Sequence, residues 1–211
     1  MSTPWLDIPL EDYERHMALP EIGQATLIAD QLAELVRERR PQTVAVMGCA
    51  GGNGFDRLCE QGLRRVIGVD INPRYLEEVR RRYAGKLPGL ELYVADVQSQ
   101  ELLFAPVDLL YAALVFEYVD VPATLRMLRR HCRPMGTLAT LTQMPHPTLR
   151  EVSPSPCASL GKLESVMRLV APEDLVREAT RAGFIRESAA MLTSPAGKEF
   201  MLQVFRASSA A

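Results

Sequence analysis

The residues best suited to chemistry by type and spacing lie between Val44 and Gly54, in the run V-A-V-M-G-C-A-G-G-N-G. An apolar stretch gives way to a turn holding Gly48, Gly51, Gly52 and Gly54, and a helical pattern follows. Glycine lets the backbone take φ > 0 and lets a ligand approach the main chain closely. The helix start beyond it offers unpaired N–H groups to an anion. A side chain at Gly52 is expected to occupy space needed by a ligand or to force a strained φ. The next apolar run, V-I-G-V-D-I-N, ends on Asp70. A carboxylate at the end of the second strand of a doubly wound sheet reaches the ribose hydroxyls of a nucleoside. Asp70 is alternatively placed to cap the helix opening at Pro73. His146, in a proline-rich stretch, is a candidate base. Tyr13 and His16 are three apart and so share one helical face.

These groups need elements to carry them. Apolar runs at Thr43–Met47 and Arg65–Asp70 read as buried strands, and Leu90–Val94, Val107–Ala112 and Gly136–Leu141 as three more strands. Between them, helical patterns run over Gly54–Gln61, Pro73–Tyr83 and Pro122–Cys132. A longer helix, Glu21–Arg40, precedes the first strand and stops at Pro41, and a short one spans Leu10–Met17. Such alternation predicts an α/β fold, a doubly wound, mostly parallel sheet with right-handed crossovers and helices on both faces. After a further helix, Glu173–Ala182, strands at Ile185–Ala190 and Glu199–Phe205 are too close for a helical crossover. They are expected to pair antiparallel and to complete a seven-stranded sheet. Residues 143–160, with Pro145, Pro147, Pro154 and Pro156, read as a loop acting as a lid. Ligands of open α/β sheets sit beyond the carboxyl ends of the strands. That edge should gather Gly48–Gly52, Asp70, Asp96, Ala112–Glu117 and Gln143–His146.

The 211 residues are 47% hydrophobic and 24% charged, with a formal net charge of −2. One compact domain is expected, with residues 1–40 as an N-terminal helical cap on residues 41–207. No global positive charge attracts a phosphate backbone, so nucleic acid is not an expected partner. Arg80, Arg81 and Arg82 read as a solvated helix face. No apolar run reaches the roughly 18 residues that span a bilayer, so no membrane partner is expected. Met1–Leu10 has neither the basic nor the apolar region of an export signal, and a cytoplasmic location is expected. Cys49, Cys59, Cys132 and Cys157 include no C-x-x-C pair, and the three histidines are scattered, so no metal site is expected.

The dinucleotide fingerprint G-x-G-x-x-G would need glycine at Ala50 or at Arg57, and the loop fits it poorly. The turn Gly48-Cys49-Ala50-Gly51-Gly52 resembles instead motif I, G-x-G-x-G, of the class I S-adenosylmethionine (SAM)-dependent methyltransferases. The resemblance extends over about Thr43 to Phe205. It takes in Asp70, Asp96 within Y-V-A-D-V, the segment Val107–Val119, the turn Arg133-Pro134-Met135-Gly136 and the closing hairpin. It implies a Rossmann-like methyltransferase fold with SAM as cofactor. The cofactor would be held by Gly48, Cys49, Ala50, Gly51 and Gly52. Asp70 and Ile71 would lie at the ribose, Asp96 and Val97 at the adenine, with Ala112 and Ala113 alongside. N-terminal helices of this superfamily often cover the cofactor, which places Tyr13 and His16 against it. Glu117 and Tyr118 stand where the family often faces its acceptor, and with His146 they are the candidate catalytic groups. The sequence departs from the family at Ala50, the second motif glycine, and at Val46, where an acid is common. The implied function is methyl transfer from SAM to a small molecule or metabolite by a monomer or homodimer. The alternatives are a non-catalytic protein binding SAM or its demethylated product, and a nicotinamide-dependent oxidoreductase.

Overall fold

A computed structural model of the chain describes residues 3–20 and 22–209. Pro4–Asp7 form a 3-10 turn, followed by α1 (Leu10–Ala18) and α2 (Gln24–Arg39). The helix expected from Glu21 begins at Gln24, because Gly23 takes the left-handed conformation at its start, φ 62°. Glu21 itself, like Met1 and Ser2 of the expected cap, lies outside the described residues. Then come β1 (Thr43–Met47), α3 (Phe55–Leu58), β2 (Arg65–Asp70), α4 (Pro73–Tyr83), β3 (Leu90–Val94) and β4 (Val107–Ala113). After a 3-10 turn, Phe116–Tyr118, follow α5 (Val121–His131) and β5 (Cys132–Gln143). A longer 3-10 stretch, Ala158–Ser165, leads to α6 (Pro172–Arg181), β6 (Phe184–Thr193) and β7 (Glu199–Ala207).

The seven strands are ordered β3-β2-β1-β4-β5-β7-β6. β1 to β5 run parallel, and β7 pairs antiparallel with both β5 and β6. Every residue of β1 is buried, as a strand covered on both faces requires. Val44 and Val46 pack with Ile28, Leu32, Leu35 and Val36 of α2 and with Leu76 and Val79 of α4. Ala45 and Met47 pack with Leu125 and Leu128 of α5 and Leu175 of α6. The alternation along one strand thus divides the core into two layers. Among the described residues no helix is long and apolar enough to cross a membrane.

The sequence places strand five at Gly136–Leu141, after a turn at Arg133–Gly136. β5 instead begins at Cys132 and carries those residues within it as an irregularity. Met135 takes φ 64°, and the register shifts between Val107↔Cys132 and Leu109↔Thr137. A bulge absorbs the turn-forming residues without ending the strand. α3 is shorter than the expected Gly54–Gln61 helix.

Asp108 of β4 fastens the amino end of β1. It accepts N–H bonds from Gln42 and Thr43 at 3.0 and 2.9 Å and a hydroxyl bond from Thr43 at 2.8 Å. Arg133 adds an ion pair at the surface. Partial burial pushes the Asp108 carboxyl upward. The Thr43 hydroxyl, Arg133 and the two amides outweigh it and hold it below the ordinary 3.8. A depressed carboxyl stabilises the fold fully above its unfolded pKa and loses that contribution as pH falls through the lower, folded value. Asp108→Ala leaves two amides without an acceptor and is expected to cost about 2 kcal/mol, or roughly 4–8 °C in Tm for a chain of this size. Thermal melts of both proteins at neutral pH and below pH 3 check this, the difference shrinking in acid.

Candidate functional site

The chain leaves β1 toward β2 on one side, while β4 lies on the other, so the strand order reverses between β1 and β4. A crevice opens at the carboxyl ends of such a pair. Here it is a cleft of about 720 Å³ counted to its open mouth. Gly48 and Ala50 line it from the loop after β1, Asp70 and Ile71 from β2, and Ala95, Asp96 and Val97 from the turn after β3. Ala113, Leu114 and Val115 close the β4 side. Gly48 has φ 63°, and a β-carbon there would stand 2.8 Å from a Val115 methyl, so the main chain is bare toward the cleft.

Asp70 organises this edge. One oxygen accepts the Ala50 N–H at 2.8 Å and the other the Asn72 N–H at 2.9 Å. Burial pushes its carboxyl up to about 6, against the pull of the Asn72, Ala50 and Ile71 amides. The cap of α4 is Asn72, whose Oδ1 accepts the Arg74 N–H at 3.1 Å. Asp70 is thereby free of capping. Asp96 is held in a tight turn, accepting from Gln98 N–H at 3.2 Å and the Ser99 hydroxyl at 2.9 Å.

The N-terminal segment forms the outer wall. Its carbonyls are caught by side chains of the β2–α4 unit: Trp5 O by Asn72 at 2.9 Å, Leu6 O by Arg74 at 3.2 Å and Ile8 O by Tyr75 at 3.0 Å. Arg82 holds Glu14 of α1 with two bonds and the Gly51 carbonyl with a third. It is therefore a latch rather than part of a solvated face. Trp5 packs edge-on against Tyr13 and Tyr118, centroids 5.7 and 5.0 Å apart, arrangements that add about 0.5–1.5 kcal/mol each beyond burial.

Trp5, Tyr13, Leu114 and Tyr118 also line a second cavity of about 540 Å³. His16, Met17, Gln24, Gln143 and Lys198 face it, with Val152, Leu160, Leu163 and Met167 from the segment beyond β5. His16 is buried, and its Nδ1 has no hydrogen-bond partner. Burial, and then the charge of Lys198, keep its imidazole below the ordinary 6.5. The lid packs onto this end: Cys157, Leu160 and Leu163 cluster with Ile8, and the Ser159 hydroxyl donates to Asp12 at 2.6 Å.

Of the sequence candidates, Gly48, Ala50, Asp70, Ile71, Asp96, Val97, Ala113, Tyr13 and Tyr118 line the first cleft. His16 lines the second cavity instead. Cys49, Gly51, Gly52 and Ala112 support the first cleft without lining it. A β-carbon at Gly51 would meet Glu14 and Arg82, and one at Gly52 would stand 2.7 Å from the Tyr83 ring. Glu117 lies behind both cavities, buried to 1%. It accepts the Gln143 N–H at 2.7 Å, its second oxygen has no partner, and burial pushes its carboxyl up to about 7. It holds the end of β5 and lines neither cavity. His146 lines neither cavity, and its Nδ1 accepts the amides of Thr148 and Leu149. Leu114 falls within the Ala112–Glu117 edge expected from the sequence, whereas Trp5, Tyr75 and Lys198 were not among the site candidates. The aromatic and apolar character of residues 5–17 signalled Trp5, whereas a lone lysine in a hairpin turn carried no signal.

The fold and crevice define the ligand-accessible carboxyl edge of a doubly wound α/β sheet. Residues 45–140 match the family model described as a methyltransferase domain. Over that stretch, 96 of the 211 residues, the chain is similar to methyltransferase domains. Among solved structures it is similar to a SAM-dependent methyltransferase from Mesorhizobium loti, TM-score 0.65 at 20% identity, covering 84% of this chain and 99% of that one. It is also similar to the N-methyltransferase NodS from Bradyrhizobium japonicum WM9 in complex with S-adenosylhomocysteine. There the TM-score is 0.67 at 15% identity, over 94% of this chain and 97% of that one. A cyclase, SpnF, shares the fold at TM-score 0.64 and 14% identity, over 85% and 81%. No curated protein matches in sequence.

At Gly52, φ is 86° and the space a side chain would need is taken by Tyr83, not by the cleft. Gly52→Val therefore strains the main chain and crowds Tyr83, the second of the two expected routes. Strain of about 1–3 kcal/mol should lower Tm by several degrees. Calorimetric melting of the unliganded protein measures it, and an unchanged Tm would contradict the assignment.

Proposed function

We propose that the protein transfers a methyl group from SAM, held in the first cleft, to a small molecule held in the second cavity. The observation that carries this is the shared wall: two adjoining cavities at the carboxyl edge of the sheet meet at Trp5, Tyr13, Leu114 and Tyr118. The first cleft fits a nucleoside. Each Asp70 oxygen spends one lone pair on a backbone amide and keeps another for a ribose hydroxyl. Asp96 stands ready for the adenine amino group, between the apolar side chains of Ile71 and Val97. The cofactor supplies, when bound, a methyl group on a positively charged sulfonium sulfur.

The work left to the chain is alignment and exclusion of water. Tyr13, Trp5 and Tyr118 narrow the passage between the cavities, so that an acceptor must meet the cofactor along one line. His16, neutral at pH 7 and lacking a partner on Nδ1, takes the proton of an acceptor that must lose one. The small net charge, −2, suits a small acceptor in the cytoplasm better than a polyanion.

Val46 favours a second reading, a protein that binds the cofactor without turning it over. It is buried in the α2 layer and offers no acid to the loop. Incubation with SAM and a panel of metabolites separates the two, since S-adenosylhomocysteine accumulates only with turnover.

Asp70→Ala should weaken SAM binding roughly ten- to a hundredfold, the effect of losing charge-assisted bonds worth about 1.5–3 kcal/mol. Calorimetric affinities of the two proteins test this. In the wild type the same affinity should fall as pH drops through about 6, where Asp70 takes up a proton, and be level above it. Removing residues 1–20 should leave a cooperative melt with weakened binding and no turnover. A truncated protein of full affinity would reduce this segment to packing.

A further inference from the structure

Lys198, at the start of the last strand, is exposed to only 4%. Its ammonium donates to the Glu151 carbonyl at 2.6 Å and to Gln143 Oε1 at 3.4 Å. Both are neutral acceptors. Among the described residues no carboxylate lies within ion-pair distance of it. A buried charge without a counter-charge is expensive and is ordinarily paired. Here the space beside it is not protein but the second cavity. Met17, Leu114, Leu160, Leu163 and Met167 give that cavity an apolar side, while Gln24, Gln143, Glu151 and Ser153 line it with polar groups. His16 also lines it, and its Nδ1 is buried without a hydrogen-bond partner.

We infer, resting on the methyltransferase reading, that the acceptor is a largely apolar small molecule carrying an anionic oxygen group, anchored by Lys198. The anion supplies the counter-charge that the ammonium lacks, and the apolar body fills the cavity between the lid and α1. An amine acceptor would place a second cation beside Lys198, with only the exposed Glu151 carboxylate on the loop to compensate. Burial brings the lysine down to about 8, against the pull of Glu151, which leaves it charged at neutral pH and sensitive to an added anion.

The single tryptophan of the chain, Trp5, lines both cavities, so its fluorescence reports on each. The full chain, saturated with S-adenosylhomocysteine, is titrated with benzoate, 3-phenylpropanoate, indole-3-acetate and octanoate. The matching primary amides and amines are titrated alongside, and calorimetry confirms each affinity. At least one acid should bind about tenfold or more tightly than its amide and its amine, as expected for a charge-assisted bond in a buried site. Lys198→Met should bring acid and amide to within about threefold of each other. Lys198→Gln, which keeps a donor for the Glu151 carbonyl, should do the same if the methionine variant fails to fold. The inference is overturned if no acid is preferred by the wild type, or if the preference survives in the folded variants. Failure to bind S-adenosylhomocysteine would instead overturn the cofactor reading. The titrations repeated without it then test Lys198 alone.

Discussion

The site depends on one buried carboxylate that must not be left without donors. Asp70 draws the loop after β1 toward it through the Ala50 amide and the turn after β2 through the Asn72 amide. To aim its N–H there, Ala50 takes φ 46°, a left-handed conformation that costs a non-glycine residue roughly 1–2 kcal/mol. Asn72, fixed by the same carboxylate, caps α4 and holds the Trp5 carbonyl. The floor and the outer wall of the cleft thus hang from one side chain. Its two amide bonds are the reason alanine at the second motif glycine is bearable.

The outer wall is built differently from the floor. It is tied by three side chain–carbonyl bonds and by the Arg82–Glu14 ion pair, whose partners are 32% and 38% exposed. Such a pair is worth little in water. The central strands beneath, β1, β2 and β4, are by contrast buried on both faces. A wall held by three side-chain bonds and one half-exposed ion pair is expected to open at less free energy than the sheet unfolds. A ligand that must enter and leave needs that difference.

Most of the platform was legible because its signals are local. The runs around Val44, Val66 and Leu109 are apolar without alternation, which is what burial on both faces imposes, and Pro73 and Gly183 punctuate the helices they border. The first cleft was legible for the same reason, since Gly48, Asp70 and Asp96 each follow a strand directly. The turn at Arg133–Gly136 misled because a bulge and a turn favour the same residues. The second cavity was opaque for a different reason. His16, Leu114, Lys198 and the lid come from four distant parts of the chain, and only the closed fold brings them together. Glu117 was legible as buried chemistry but not as a group lining neither cavity, a distinction of side-chain direction that a sequence pattern does not carry.

The charges of the two cavities are arranged in opposition, and this bears on when a proton can move. Asp70 and Asp96 make the first cleft acidic, which suits a cationic donor, whereas the second presents an ammonium and a neutral imidazole. Burial is the larger reason that His16 resists protonation, and Lys198 is the other. An anion seated on Lys198 cancels the second of these and leaves the first. The imidazole therefore becomes a better proton acceptor when an acidic acceptor occupies the cavity than when the cavity holds water or a neutral molecule. Lys198 would then do more than attract a class of substrate. It would link recognition at one end of the acceptor to the basicity of the imidazole at the other, with burial remaining the larger restraint on that base.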